Sequence, residues 1–225
     1  RTQGNPNLTP ERSHNVGANL NYWNPASFSN VGVGMWGDFY DNRIVYSQTI
    51  EEIDTIGIRT TSRPENVSGG YGLNSYVWSG FPIVKTKIRA ELGGDFQFGE
   101  SPAFVNGVKN TTNSQGFGVR PGLNFTPSTR LIANVNGNLN YNRIRYSIQS
   151  EQNQNILNYG VDVSAKWQVI SKTFVESNLD YSVYKNDRFG FNQTIPIWNA
   201  SIRRILGKNN RVEMRLAAFD ILNKR

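Results

Sequence analysis

The chain has 225 residues, of which 37% are hydrophobic, 12% aromatic and 18% charged, with 21 glycines and no cysteine. The missing cysteines exclude a disulfide framework, a thiolate metal site and a cysteine nucleophile, while 5 Trp, 10 Tyr and 12 Phe are too many for a disordered chain. The 24 Lys and Arg outnumber 17 Asp and Glu for a net charge of +7, but they are scattered, with no run longer than Arg203-Arg204 and no interleaved stacking motif, so no nucleic-acid partner is expected.

No apolar run approaches the ~18 residues of a transmembrane helix. A transmembrane β-strand leaves no such run, so this does not bear on a β-barrel.

Residues 1–12 are polar, contain two prolines and show no period. Residues 13–22 then alternate, with Val16, Ala18, Leu20 and Tyr22 on one face and Asn15, Gly17, Asn19 and Asn21 on the other. A turn at residues 23–27 leads to a strand predicted over residues 28–49, with Val31, Val33, Met35 and Phe39 aligned. If unbroken it would be on the order of 60 Å long. Residues 50–64, acidic at Glu51, Glu52 and Asp54, are expected to form a long loop.

A strand is predicted over residues 65–78, a turn at Gly80-Phe81-Pro82, and a strand over residues 85–98. In the latter, Ile88, Ala90, Leu92, Phe96 and Phe98 oppose Lys87, Arg89, Glu91, Asp95 and Gln97. Residues 99–113 are expected to be another long loop. Phe117, Val119, Leu123 and Phe125 mark the next strand, which turns at residues 126–129.

The sharpest pattern follows. Residues 131–142, LIANVNGNLNYN, place Leu131, Ala133, Val135, Gly137, Leu139 and Tyr141 in one row and Asn134, Asn136, Asn138, Asn140 and Asn142 in the other. A helical period of 3.6 would smear the asparagines around the whole circumference. Asparagine is depleted in ordinary strands, so a strand with a carboxamide face wants that face wet or hydrogen-bonded. Leu157, Tyr159, Val161, Val163, Ala165 and Trp167 form the next apolar row, against Asn158, Asp162, Ser164 and Lys166. Val175, Leu179, Tyr181 and Val183 then oppose Glu176, Asn178 and Asp180. Trp198, Ala200 and Ile202 mark a ninth strand and GKNN at residues 207–210 a hairpin turn. Val212, Met214, Leu216 and Ala218 face away from Glu213 and Arg215 in the last strand.

These elements predict an all-β, antiparallel, up-and-down meander of about ten long strands, one β-barrel region over residues 1–225. Short and long connections alternate, as periplasmic turns and outer loops do. Aromatics stand near strand ends (Tyr22, Trp23, Tyr46, Trp78, Phe81, Phe125, Tyr141, Trp167, Tyr184 and Trp198), where membrane interfaces use them. Alternation alone does not tell lipid from a second packed sheet. Pro121 and Pro196 fall inside strands and are expected to mark bulges or strand ends.

Motifs for chemistry are weak. GVGMWG at residues 32–37 matches GxGxxG but is not followed by a helical pattern, so it is not a dinucleotide fingerprint. His14 is the single histidine, and neither the acidic run at residues 51–54 nor the pair Glu176 and Asp180 has the spacing or setting of a metal or acid-base site. No catalytic, cofactor or metal-binding residue is assigned, and an enzyme is the last reading.

The polar rows carry more. Asn134, Asn136, Asn138, Asn140, Arg120, Lys87, Arg89, Glu91, Asp162 and Lys166 are expected to face a lumen, with Asp95, Glu176, Asp180, Arg203, Glu213 and Arg215. Val135, Leu139, Tyr141, Val161, Val163, Leu179 and Leu216 are expected to face lipid. Lone charges inside a small packed barrel would be costly, so mixed charges with asparagines suit a wide, hydrated lumen or one filled by a polar domain.

GNPNLTPERSHN at residues 4–15 resembles the GNPxLxPExS segment of TonB-dependent receptors, and AFDILNK at residues 218–224 is similar to their FDxxNK segment. The resemblance spans the chain and is carried by its two ends. It implies the C-terminal part of an outer-membrane barrel of about 22 strands, a plug domain within it, an energy-transducing TonB protein and import of a nutrient or chelate. The chain departs from the family in having no recognisable plug, no energy-coupling box and no strand after Arg225, and no ligand residue carries over to the outer loops. The expected partners are outer-membrane lipid, the plug, the transducer and a small-molecule or glycan ligand. The alternatives are a passive or structural outer-membrane barrel and a soluble extracellular glycan-binding β module.

Overall fold

The structure is a computed structural model that describes residues 1–53, 57–207, 209 and 211–224. Asp54, Lys208, Asn210 and Arg225, part of the acidic run, the GKNN turn and the C-terminal segment, lie outside them.

Twelve strands make one sheet: β1 (Arg12–Asn24), β2 (Ser29–Asp41), β3 (Arg43–Ile53), β4 (Gly57–Val67), β5 (Tyr71–Val84), β6 (Ile88–Val105), β7 (Val108–Ser128), β8 (Leu131–Tyr146), β9 (Gln154–Ile170), β10 (Thr173–Asn186), β11 (Phe191–Leu206) and β12 (Val212–Ala218). A 3-10 turn at Ser150–Gln152 is the one helical element among the described residues. The main path is an antiparallel meander, β1-β2-β5-β6-β7-β8-β9-β10-β11-β12. β1 and β12 each have one strand neighbour and the sheet is not closed.

β3 and β4 form a hairpin off that path. The strand predicted over residues 28–49 breaks at Asn42, whose φ of 63° ends β2 and redirects the chain. Ser68-Gly69-Gly70, with both glycines at positive φ, returns it to β5. Residues 50–64, expected to be a loop, therefore lie largely in β3 and β4. Residues 99–113, also expected to be a loop, extend β6 and β7 to a two-residue Asn106-Gly107 turn with φ of 50° and 77°, the left-handed pair of a tight hairpin. Gly80, Phe81 and Pro82, expected to form a turn, belong to β5; the turn is Lys85-Thr86-Lys87, pivoting on Thr86 at φ 64°.

Neither Pro121 nor Pro196 makes a bulge. Pro121 pairs with Leu92 and Pro196 with Tyr181 in unshifted register. At Pro121 the β7–β8 ladder skips Arg120 and Pro121 and then resumes, while β12 pairs only Ala200–Leu206 of β11 and leaves that edge at Pro196 without a ladder.

The register keeps each row on one face. Leu123, Val135 and Val163 lie in line across β7, β8 and β9, as do Gly122, Asn136 and Asp162 behind them. The apolar face is open to its surroundings: Leu20 is 68% exposed, Met35 61% and Leu216 76%. Among the described residues Val67, Val183 and Pro102 are the buried apolar side chains. A water-soluble sheet pair would bury this face against a second layer. Here the hydrophobic effect is left to act between the sheet and its surroundings.

From Leu131 to Tyr141 the apolar row rises about 33 Å along β8, or about 25 Å normal to a membrane once the strand tilts by ~40°. Arg143, next in the row, lies beside Gln115 and Asn155 and ends the band on that side.

Candidate functional site

The opposite face gathers the polar rows. Asn134 donates to Ser164 (3.4 Å), Asn136 stands opposite Asp162, and Asn140 opposite Asn158. The asparagine row is thus one rung of a hydrogen-bonding surface that continues through β9.

Charges on this face are paired, all but Arg89–Glu91 across strands. Arg120 on β7 pairs with Asp95 on β6. Arg89 pairs with Glu91 (3.1 Å), donates to Asn30 Oδ1 (2.9 Å) and reaches the Phe28 carbonyl on the first turn (2.9 Å). Glu176 on β10 is the hub of a larger cluster, with Lys166 at 3.6 Å, Arg203 at 3.8 Å and Arg215 at 3.4 Å. Glu213 completes it at 3.1 Å from Arg203. Such partly hydrated pairs cost little desolvation and contribute modestly to stability. Their larger effect is to hold long side chains flat, leaving recesses between them.

One recess, about 270 Å³, lies over the Lys166–Glu176–Arg215 cluster and is edged by Asn134, Asn178 and Asn199. A larger one, about 600 Å³, lies over β5 to β9, with Trp78, Arg89, Glu91, Arg120 and Asp162 around it. Gly80, Gly93 and Gly122 line it where bulkier residues would fill the space.

All the residues assigned to the polar row from the sequence share this face except Lys87, which lies in the β5–β6 turn. Val135, Leu139, Tyr141, Val161, Val163, Leu179 and Leu216 share the opposite face through the β8–β9–β10–β11–β12 register. Trp78 and Tyr184, expected at a membrane interface, are on the polar face, and Trp198 lies mid-strand in β11, donating to Ser177 (3.0 Å). The GVGMWG glycines serve packing. Trp78 covers Gly32 and Tyr76 covers Gly34, and the Trp36 and Tyr76 rings meet at 5.9 Å, tilted by 55°. Among the described residues no three His, Cys, Asp or Glu side chains converge as metal ligands do.

A second assembly sits at the end of the sheet that carries the β3–β4 hairpin. The N-terminal segment is stitched along the β3–β4 hairpin. Asn5 donates to the Pro64 carbonyl (2.8 Å), Thr9 and Asn66 exchange two hydrogen bonds (2.8 and 2.9 Å), and Glu11 accepts from the Ile44 amide (2.8 Å). On its other side β3 meets the tip of β6, where Asn106 donates to the Gln48 carbonyl (2.8 Å) and accepts from Ile50 (2.8 Å). Segment, hairpin and tip are thus hydrogen-bonded into one rim at that end of the sheet. Sequence reasoning missed this rim, although the density of Asn and Pro in residues 4–11 was its available signal.

A family model described as an outer membrane protein beta-barrel family matches residues 1–225, and the chain belongs to that family. No curated protein matches the chain. Membership places the protein in the bacterial outer membrane.

Proposed function

We propose that the chain is barrel wall from a TonB-dependent receptor that imports a nutrient or chelate. The polar face lines the lumen, the apolar face meets lipid, and the rim of long connections captures the ligand. The observation that carries this reading is the cross-strand network on the polar face. Paired ions and carboxamides extend from Arg89 to Glu213 and leave hydrated recesses. A narrow barrel closed by packed side chains has no use for such a surface, whereas a wide lumen around a polar plug does. The GNPNLTPE segment adds support, since its Asn5, Thr9 and Glu11 fix the rim.

Solute passes along the polar wall once a plug moves, and the energy-transducing protein supplies the pull. The test is uptake by cells carrying the intact gene, with and without the transducer. Loss of uptake on removing either partner is expected. Passage that persists unchanged without the transducer would assign a passive barrel instead.

A further inference from the structure

We infer that the short-turn end of the sheet is a basic rim that binds anionic phospholipid headgroups. The inference rests on membership of the outer-membrane barrel family and is independent of the importer reading. In the sequence the cations look scattered, but the meander brings them to one end. The β5–β6 turn carries Lys85 and Lys87, the β7–β8 turn Arg130, the β9–β10 turn Lys172, and Arg211 leads into β12. Arg204 joins them near the end of β11, on the apolar row two residues beyond Ile202.

Among the described residues, no Asp or Glu lies in any of these turns. The nearest carboxylates, Glu91, Glu176 and Glu213, are engaged by arginines on the polar face. The first turn has no charge of its own, and Lys85 covers it, with Nζ 5.6 Å from the Phe28 ring centroid. The opposite end is mixed, with Asp41, Glu65, Glu151 and Asp187 among its cations. The protein's +7 charge is thus expressed mainly as a polarity between ends.

Depth selects lipid as the partner. Phe81, Phe125 and Trp167 stand on the apolar row four or five residues before Lys85, Arg130 and Lys172. That separation is about 13–17 Å along the strand and less across a membrane once the strand tilts. Aromatics at the interface put the cations in the headgroup layer, and flexible Lys and Arg stems reach back towards phosphate. Clustered cations at this depth recognise anionic lipid, and salt screens them.

The test inserts the full chain into phosphatidylcholine vesicles containing a minor fraction of phosphatidylglycerol, with bromine on the acyl chains of one lipid or the other. Tryptophan quenching reports which lipid contacts the wall. We expect quenching by brominated phosphatidylglycerol to exceed that by an equal fraction of brominated phosphatidylcholine by about twofold or more, and the excess to vanish at high salt. A Lys85→Gln, Lys87→Gln, Arg130→Gln, Lys172→Gln variant should lose the excess, while Lys109→Gln, Lys185→Gln, Arg188→Gln at the other end should keep it. Equal quenching in the unmodified chain overturns the proposal even if the variant fails to insert. So does an excess lost equally in the control variant, and so does capture of soluble polyglutamate without phosphatidylglycerol enrichment, which would assign an acidic protein partner.

Discussion

Gly32 on β2 stands directly opposite Trp78 on β5, and the indole occupies the space where a Cβ would project from the glycine. Asn21 from β1 closes the same space from the other side. The glycine is therefore a socket for a large ring on a face otherwise lined with carboxamides. Gly32→Ala is expected to destabilise the folded chain by about 1–3 kcal/mol, the usual cost of overpacking, as measured by denaturant unfolding in lipid vesicles. In the Trp78→Ala background the same change should cost markedly less. Additive losses would show that the ring is not what the glycine accommodates.

The two faces can be tested with adjacent residues. Val135 lies on the apolar row, 41% exposed, and Asn136 beside it points the other way. Val135→Arg places a guanidinium in hydrocarbon and is expected to cost about 2–4 kcal/mol of stability in the membrane. Asn136→Arg, facing Asp162 across β9, should change stability by less than about 1 kcal/mol. Equal costs for both would mean that the faces are not lipid and water.

How much of this was legible in the sequence depends on which forces act at each residue. The row from Leu131 to Tyr141 was readable because an apolar face and a polar face on one strand impose a period of two. Beyond the apolar band that contrast disappears. Residues 99–113 stay in strand although they show no alternation of apolar and polar residues, because ladder pairs from Gly99–Ser114 up to Val105–Val108 hold them, and no hydrophobic pattern records such bonds. The break at Asn42 was hidden because alternation continues through it into β3, and a single residue at positive φ leaves no mark on the period. The basic rim was hidden for a different reason. Lys85, Arg130 and Lys172 are some forty residues apart in sequence and meet only through the meander. Membership in an outer-membrane family shows the membrane; nothing in the residues names the ligand.

The N-terminal segment is held at several points, by backbone bonds of Arg1 and Gln3 to Ser62 at one end and by Asn42, Ile44 and Asn66 at the other. Asn66 donates to the Thr9 carbonyl and accepts from its amide. Asn66→Ala removes both, at about 1–2 kcal/mol in total for two exposed bonds, and should loosen residues 6–10 against the β3–β4 hairpin. Limited proteolysis is expected to cut the variant within this segment much faster than the parent, while the strands of the main path stay protected. An unchanged digestion pattern would show that the remaining bonds of Arg1, Gln3, Asn5, Glu11 and Asn42 suffice.

β12 is the weakest member of the sheet on structural grounds. It pairs only seven residues with β11, and its two polar-face charges, Glu213 and Arg215, are tied back to Arg203 and Glu176. Glu176 is 28% exposed at its side chain and also faces Lys166 and Arg203. Glu176→Gln preserves shape but leaves three cations around a neutral group. Each pair is partly hydrated, so the overall loss should be only about 1 kcal/mol, whereas the local effect is larger because β12 has no second strand to hold it. Amide hydrogen exchange across Val212–Ala218 is therefore expected to quicken while β8 and β9 are unchanged. Added salt should quicken exchange in the parent more than in the variant, since screening acts on an attraction the variant has already lost. Exchange in β12 that ignores both the substitution and the salt would show that ladder hydrogen bonds to Ala200–Leu206 alone retain the strand.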